Sequence, residues 1–335
     1  MSAPRTTFGL TLPNRGVVVG LIGAGALLEL AEAAEASGKV AHVWIGDSIL
    51  SKPRLEAIGL FGALAARTKT AILGVGCMAT IVQRHPVLFA LQWASLDVLS
   101  NGRMLLAACL GYPGSQTPAA QKELDVMGVP SKERPGRMEE MVEALRVLWA
   151  SDHASFHGRY YRFEDVDLQP RPVQRPCPIW IASNPQERSI GPQGVERALR
   201  RVARLGDGWM TTLVAPDAFR QRWARVKEFA REAGRDPGML RSALYYNLNV
   251  NPDREAAYRE SKAYLDTYYT ANFEKWFVDA WTAYGPLEEC VAKLRGYVEA
   301  GFDMITIRLT ARDQWGQLRI YLDQVLPALG VAARR

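Results

Sequence analysis

The sequence predicts an α/β protein in which eight parallel strands close into a (β/α)8 TIM barrel. Two observations carry that expectation. Short apolar runs alternate with amphipathic stretches along the whole chain, eight of each between Thr7 and Leu329, and strict strand–helix alternation implies a parallel sheet. The segment from Leu73 to Gly111 is one complete βαβ unit, a crossover whose right-handedness puts the loops that follow the strands on one side of the sheet. No GxGxxG follows the first apolar run, so an open, doubly wound dinucleotide-binding sheet is the weaker alternative. A length of 335 residues with 48% hydrophobic content suits one barrel domain with a large core.

In chain order, Thr7 to Leu12 is the first expected strand, Ala26 to Ala36 a helix and Ala41 to Ile45 the second strand. Pro53 to Ala66 is the second helix and Thr70 to Val75 the third strand. Pro86 opens the third helix at a position where a missing N–H costs nothing. Val87, Leu88, Leu91, Ala94, Leu96 and Val98 form its apolar side, and Ser100-Asn101-Gly102 its C-cap. Met104 to Leu110 is the fourth strand, and Glu133 to Trp149 an amphipathic helix. Residues 151–178, with alternating aromatics and then dense prolines, read as an excursion in the form of a hairpin. Ile179 to Ala182, Trp209 to Leu213, Ala243 to Val250 and Met304 to Leu309 are the remaining strands. Between them lie helices at Val195 to Leu205, Asp217 to Ala233 and Pro286 to Ala300, and a helical insertion over 253–285 that forms a lid; Gln314 to Leu329 is the last helix.

A net charge of +6 comes without Lys/Arg runs beyond Arg200-Arg201 and Arg334-Arg335, which disfavours nucleic-acid binding. No apolar run approaches the roughly 18 residues of a membrane span, so a soluble, cytoplasmic protein is expected. The four cysteines, Cys77, Cys109, Cys177 and Cys290, contain no CxxC pair and read as reduced thiols, with neither a disulfide framework nor a zinc site.

In a barrel the chemistry sits at the carboxyl ends of the strands. Those ends hold Asn14, Asp47-Ser48, Gly76-Cys77, Gly111-Tyr112, Ser183-Asn184, Thr211-Thr212, Asn247, Asn249 and Arg308. Period-two alternation points Tyr245, Asn247, Asn249, Thr306 and Arg308 into the barrel. An inward arginine is either ion-paired or binds an anion. The strand ends lack the flanking carboxylates of a glycosidase, and His42, His85, His153 and His157 form no metal cluster in sequence. A mouth of amides, hydroxyls, glycines and aromatics suits an organic cofactor that brings its own chemistry.

The chain resembles the luciferase-like flavin and deazaflavin oxidoreductases nearly end to end. The likeness rests on VWIGDS, LGVGCM followed by RHP, LDVLSNGR, CPIWIAS, RVARLGDGWM and GFDMITIRL, in that order. The resemblance implies a barrel whose mouth holds coenzyme F420 or, alternatively, FMN. It implies a non-prolyl cis peptide at Gly76–Cys77 behind the ring, and a role for Asp47 in holding the ring edge or that bulge. Ser183, Asn184, Gly191 and Gly194 match the loop and helix start that receive the cofactor phosphate, with Arg197 as an assistant or as an ordinary helix-surface residue. Gly111 belongs to the same cofactor face. The family's sugar-phosphate dehydrogenases have a histidine where this chain has Ser48 and a glutamate where it has Tyr112, so sugar-phosphate oxidation is not expected. Ser48 and Tyr112 are then the candidate catalytic positions, Tyr112 as a proton donor or as an aromatic shelf. Asn247, Trp276 and Arg308 are candidate substrate contacts, the aromatic lid being a substrate wall, a helical core or a dimer contact. The expected activity is F420-dependent hydride transfer to or from a small organic substrate. The alternatives are a reduced-FMN monooxygenase served by a flavin reductase, and a flavin-binding barrel without catalysis. Family members usually form homodimers.

Overall fold

Large side chains laid over glycines build the interior of the barrel. The computed structural model describes residues 6–111, 115 and 117–334. Its strands are β1 (Thr7–Thr11), β2 (His42–Ile45), β3 (Ile72–Met78), β4 (Met104–Ala108), β5 (Ala154–His157), β6 (Arg162–Val166), β7 (Ile179–Ala182), β8 (Gly208–Thr211), β9 (Arg241–Val250), β10 (Thr282–Gly285) and β11 (Met304–Leu309). Pairing runs β1-β2-β3-β4-β7-β8-β9-β11 and returns to β1, all parallel, which closes the expected eight-stranded barrel. Gly9 sits beside His42 in register, Gly74 beside Trp44, and Gly208 beside Trp180. In each pair a Cβ on the glycine would lie within 2.5 Å of the neighbouring ring. The rings therefore fill space that two side chains could not share, and the interior packs solid. Above them, Thr11 and Thr306 pair through their hydroxyls at 2.8 Å.

The outward strand faces pack on the helices. Leu27, Leu30, Ala31 and Ala34 of the helix Ala24–Ala36 are buried, as are Phe89, Ala90, Trp93, Ala94 and Leu96 of Pro86–Leu99. Leu88 and Val98 were expected on that apolar side; they are exposed instead, because Phe89 and Trp93 set the buried stripe one residue away. The second helix starts at Ala57 rather than Pro53, since the Glu56 carboxylate caps it by accepting from the Gly59 N–H at 2.8 Å. The excursion forms the antiparallel hairpin β5–β6.

The lid differs from the continuous helix expected. Helix Arg254–Tyr269, capped by Asp253, stops at Thr270 in the left-handed region, and a short helix Lys275–Trp281 follows. The last four lid residues are β10, which pairs with the upper half of the ten-residue β9 while β8 pairs with its lower half. The helix after β7 begins at Glu187, earlier than Val195, and bends at Gly191 (φ 65°) before Pro192. A further helix, Pro118–Val126, lies where sequence reading assigned none.

Candidate active site

The β3 bulge is the centre of the mouth. Gly76 pairs with Ala107 and Met78 with Ala108, so Cys77 is an extra residue, and the Gly76–Cys77 peptide is cis. Asp47, just past β2, anchors the loop beyond the bulge: its Oδ2 accepts from the Thr80 N–H at 2.8 Å and the Thr80 hydroxyl at 2.7 Å. The Arg84 guanidinium stands 3.6 Å from Oδ1 and also donates to the Thr80 hydroxyl. Burial holds the Asp47 carboxyl above the ordinary range, with Arg84, Thr80 and Arg54 opposing it. The contacts of Asp47 thus reach the segment that follows the bulge.

Ser48 braces the next loop. Its hydroxyl donates to Glu123 Oε2 at 3.3 Å and accepts from the Lys52 N–H at 2.9 Å. The same carboxylate oxygen takes the N–H groups of Ile49, Leu50 and Ser51, and Oε1 takes the Gln83 amide. Burial would raise Glu123, but the Ser51 N–H, the Gln83 amide and the other N–H groups outweigh it and hold the carboxyl below the ordinary range. Glu123 comes from the helix that sequence reading missed, so no motif could have flagged it. Thr80 was equally unmarked, while Arg84 stands in the RHP motif without its role being read from it.

Gly111 ends this side of the mouth at φ 67°, where a Cβ would sit 2.6 Å from the Ala79 carbonyl oxygen. Tyr112 lies outside the described residues. The expectation of four reduced cysteines is corrected: Cys77 and Cys109 form a disulfide. Spacing could not show it, because only the bulge brings positions 32 residues apart together across β3 and β4.

Across the mouth, the Ser183 N–H is bound to Met210 and the Asn184 side chain to Gln186. Gly191 has open space where a Cβ would be, and buried Gly194 lets the chain approach Ile190. Arg197 is exposed on that helix. On β9, Asn247 donates to the Trp281 carbonyl at 3.0 Å, while its Oδ1 is buried without a partner, as is the Thr211 hydroxyl at the end of β8. Arg308, 2% exposed, lies over the rings of Tyr268, Tyr245 and Tyr269 at 4.2–5.3 Å and donates to the Tyr269 hydroxyl at 2.7 Å. Trp276 is 47% exposed, with the Arg188 guanidinium 4.5 Å above its ring. The 253–285 segment thus touches both the mouth and the helix after β7. No group of three metal-ligating side chains occurs among the described residues, and no helix among them is long and apolar enough to cross a membrane.

A closed β/α barrel with a cis bulge in its third strand and a mouth of hydroxyls, amides, aromatic rings and a buried arginine is the frame of a cofactor-dependent oxidoreductase. The model of the luciferase-like monooxygenase family matches residues 6–304, and the chain belongs to that family. It is 26% identical to the F420-dependent glucose-6-phosphate dehydrogenase of Nakamurella multipartita over 80% of either chain. Among solved structures, an F420-dependent secondary alcohol dehydrogenase in complex with an F420-acetone adduct superposes with a TM-score of 0.81 at 21% identity, covering 97% of this chain and 99% of that one. A monooxygenase from Streptomyces bottropensis gives 0.76 at 22% identity, covering 96% and 99%.

Proposed function

We propose that this protein is a cytoplasmic homodimeric oxidoreductase that uses coenzyme F420 for hydride transfer to or from a small organic substrate. The observation that carries the reading is the mouth itself: a bulge held from behind by Asp47, ringed by neutral polar groups and aromatic side chains. The names of its relatives point the same way. The orphaned Asn247 Oδ1 and Thr211 hydroxyl fit the polar edge of a heteroaromatic ring. The open bend at Gly191, where the helix restarts before Pro192, fits a phosphate received by backbone N–H groups. When bound, the deazaflavin supplies a ring carbon that takes or gives the hydride.

The chain's own residues do the rest. Asp47, Thr80 and Arg84 fix the bulge that backs the ring. Ser48 and Glu123 hold the loop beside it, which makes Ser48 a positioning residue. Tyr112 is the proposed group for the proton that accompanies the hydride at a carbinol oxygen. Tyr245, Tyr269 and Phe277, each in ring contact with Trp281, exclude water and form an apolar substrate wall. Ser48 and Tyr112 stand where a sugar-phosphate dehydrogenase would have histidine and glutamate, which argues for an uncharged alcohol or carbonyl substrate.

The test is a parallel fluorescence titration of apoprotein with F420 and FMN, followed by anaerobic turnover of secondary alcohols with F420. Tight binding of F420 alone, with turnover, is expected. Tight binding of FMN alone would replace the reading with a reduced-FMN monooxygenase that needs a flavin reductase. Light scattering should give twice the 37.2 kDa chain mass.

A further inference from the structure

The Cys77–Cys109 disulfide joins the β3 bulge to the end of β4. Cys77 is the extra residue of the β3 bulge. Cys109 directly follows β4, and its sulfur accepts from the Gly111 N–H at 3.4 Å, where the chain turns into the next loop. Their Cα atoms are 6.0 Å apart. In a regular ladder Cys77 would stand beside Ala108 and alternation would turn it away from Cys109, so the bulge that backs the ring also creates the pair. Access separates these cysteines from the others. Cys77 is only half-buried at the mouth, whereas Cys177 and Cys290 are free and buried, and burial pushes the Cys290 thiol up to about 12. Cys177 and Cys290 are core thiols, and the disulfide, whose Cys109 end is buried, is reached at Cys77.

We propose that Cys77 and Cys109 are a reversible thiol–disulfide site that sets the affinity of the cofactor bulge, a proposal that rests on the cofactor reading above. Opening begins when the thiolate of a small thiol attacks Cys77 Sγ, the more accessible sulfur, and Cys109 leaves as a thiolate and takes up a proton. A second small thiolate then attacks the outer sulfur of the mixed disulfide and releases Cys77, which is protonated in turn. The protein gains two electrons and two protons, and two small thiols become one small disulfide; closure is the reverse with a small disulfide as oxidant. With the bond made, the bulge is fixed to β4 before the ring arrives. With it open, binding must order both segments, and affinity falls.

The experiment counts thiols and measures affinity on the same samples. Protein equilibrated with oxidised glutathione, then denatured and alkylated, should carry label on Cys177 and Cys290 only; after dithiothreitol, all four cysteines should be labelled. F420 should bind the dithiol form about tenfold more weakly than the disulfide form, a difference of about 1.4 kcal/mol. Cys109→Ser should bind F420 alike with and without reductant, and Cys177→Ser should keep the full response. Labelling of four cysteines after oxidation would overturn the redox site. Equal F420 affinities for the two forms, or a persisting response in Cys109→Ser, would overturn the coupling to the bulge. If neither F420 nor FMN binds either form, the cofactor reading falls and the affinity claim falls with it, while the thiol count still decides whether the pair is a redox couple.

Discussion

At the scale of single residues, glycine does opposite work at two places. A Cβ on Gly9 would sit 1.8 Å from Nδ1 of His42, and that ring cannot move away, because Trp44 Nε1 donates to the same nitrogen at 2.7 Å. Gly9→Ala is therefore expected to destabilise the protein by about 3 kcal/mol through overpacking. Gly25 lies in a helix with nothing within 4 Å of its Cβ position, so Gly25→Ala should stabilise by about 0.5–1 kcal/mol. Urea midpoints, with unchanged slopes, measure both. Neither outcome is legible in the sequence: Gly9 and Gly25 look alike until the register of β1 against β2 places His42 beside one of them. Asp47 was legible because a lone acid at a strand end is conspicuous. Its partner Thr80 was not, since a threonine in a loop carries no mark.

At the scale of elements, the helix Pro118–Val126 exists to deliver one carboxylate. Glu123 gathers the N–H groups of residues 49–51, so Glu123→Ala leaves them without their acceptor and should cost about 3 kcal/mol. It should also raise hydrogen exchange at those three amides while leaving the β4 amides protected. Its folded pKa lies below the ordinary 4.5, so the loop's support is complete above 4.5 and is lost as pH falls through the lower folded value. The lid offers a second test. Trp276 holds Arg188 by a cation–π contact worth about 1 kcal/mol. Trp276→Ala should thus raise KM for the substrate about fivefold with the F420 Kd unchanged; the reverse pattern would show that Trp276 serves the cofactor. Sequence reading made the 253–285 segment helical to its end. β10 escaped because its pairing depends on the length of β9, a distant strand.

At the scale of the whole molecule, barrel closure was legible because eight repeats of one pattern reinforce each other, whereas the Cys77–Cys109 bond was not, because it depends on a single bulge. Closure also makes an acid-sensitive interior. His42 is fully buried inside the barrel, and burial, with a smaller contribution from Arg334, lowers its pKa from 6.5 to about 3. Above pH 6.5 the imidazole is neutral in folded and unfolded chains alike, and His42 contributes no pH dependence. As pH falls below 6.5, the unfolded chain takes up a proton that the folded barrel refuses until about pH 3, so stability falls by up to about 1.4 kcal/mol per pH unit, or about 2 kcal/mol between pH 6.5 and 5. Glu123 acts only below 4.5, and Asp47, raised by burial, acts in the opposite sense with or without His42, so comparison with a His42 variant isolates the histidine. His42→Asn keeps an acceptor for Trp44 without the titrating ring, and its unfolding free energy should lose this fall between pH 6.5 and 5. Urea melts of both proteins at pH 7.5, 6.5, 5.5 and 5.0 would decide it: converging curves place the acid limb in the barrel interior, and parallel curves place it elsewhere.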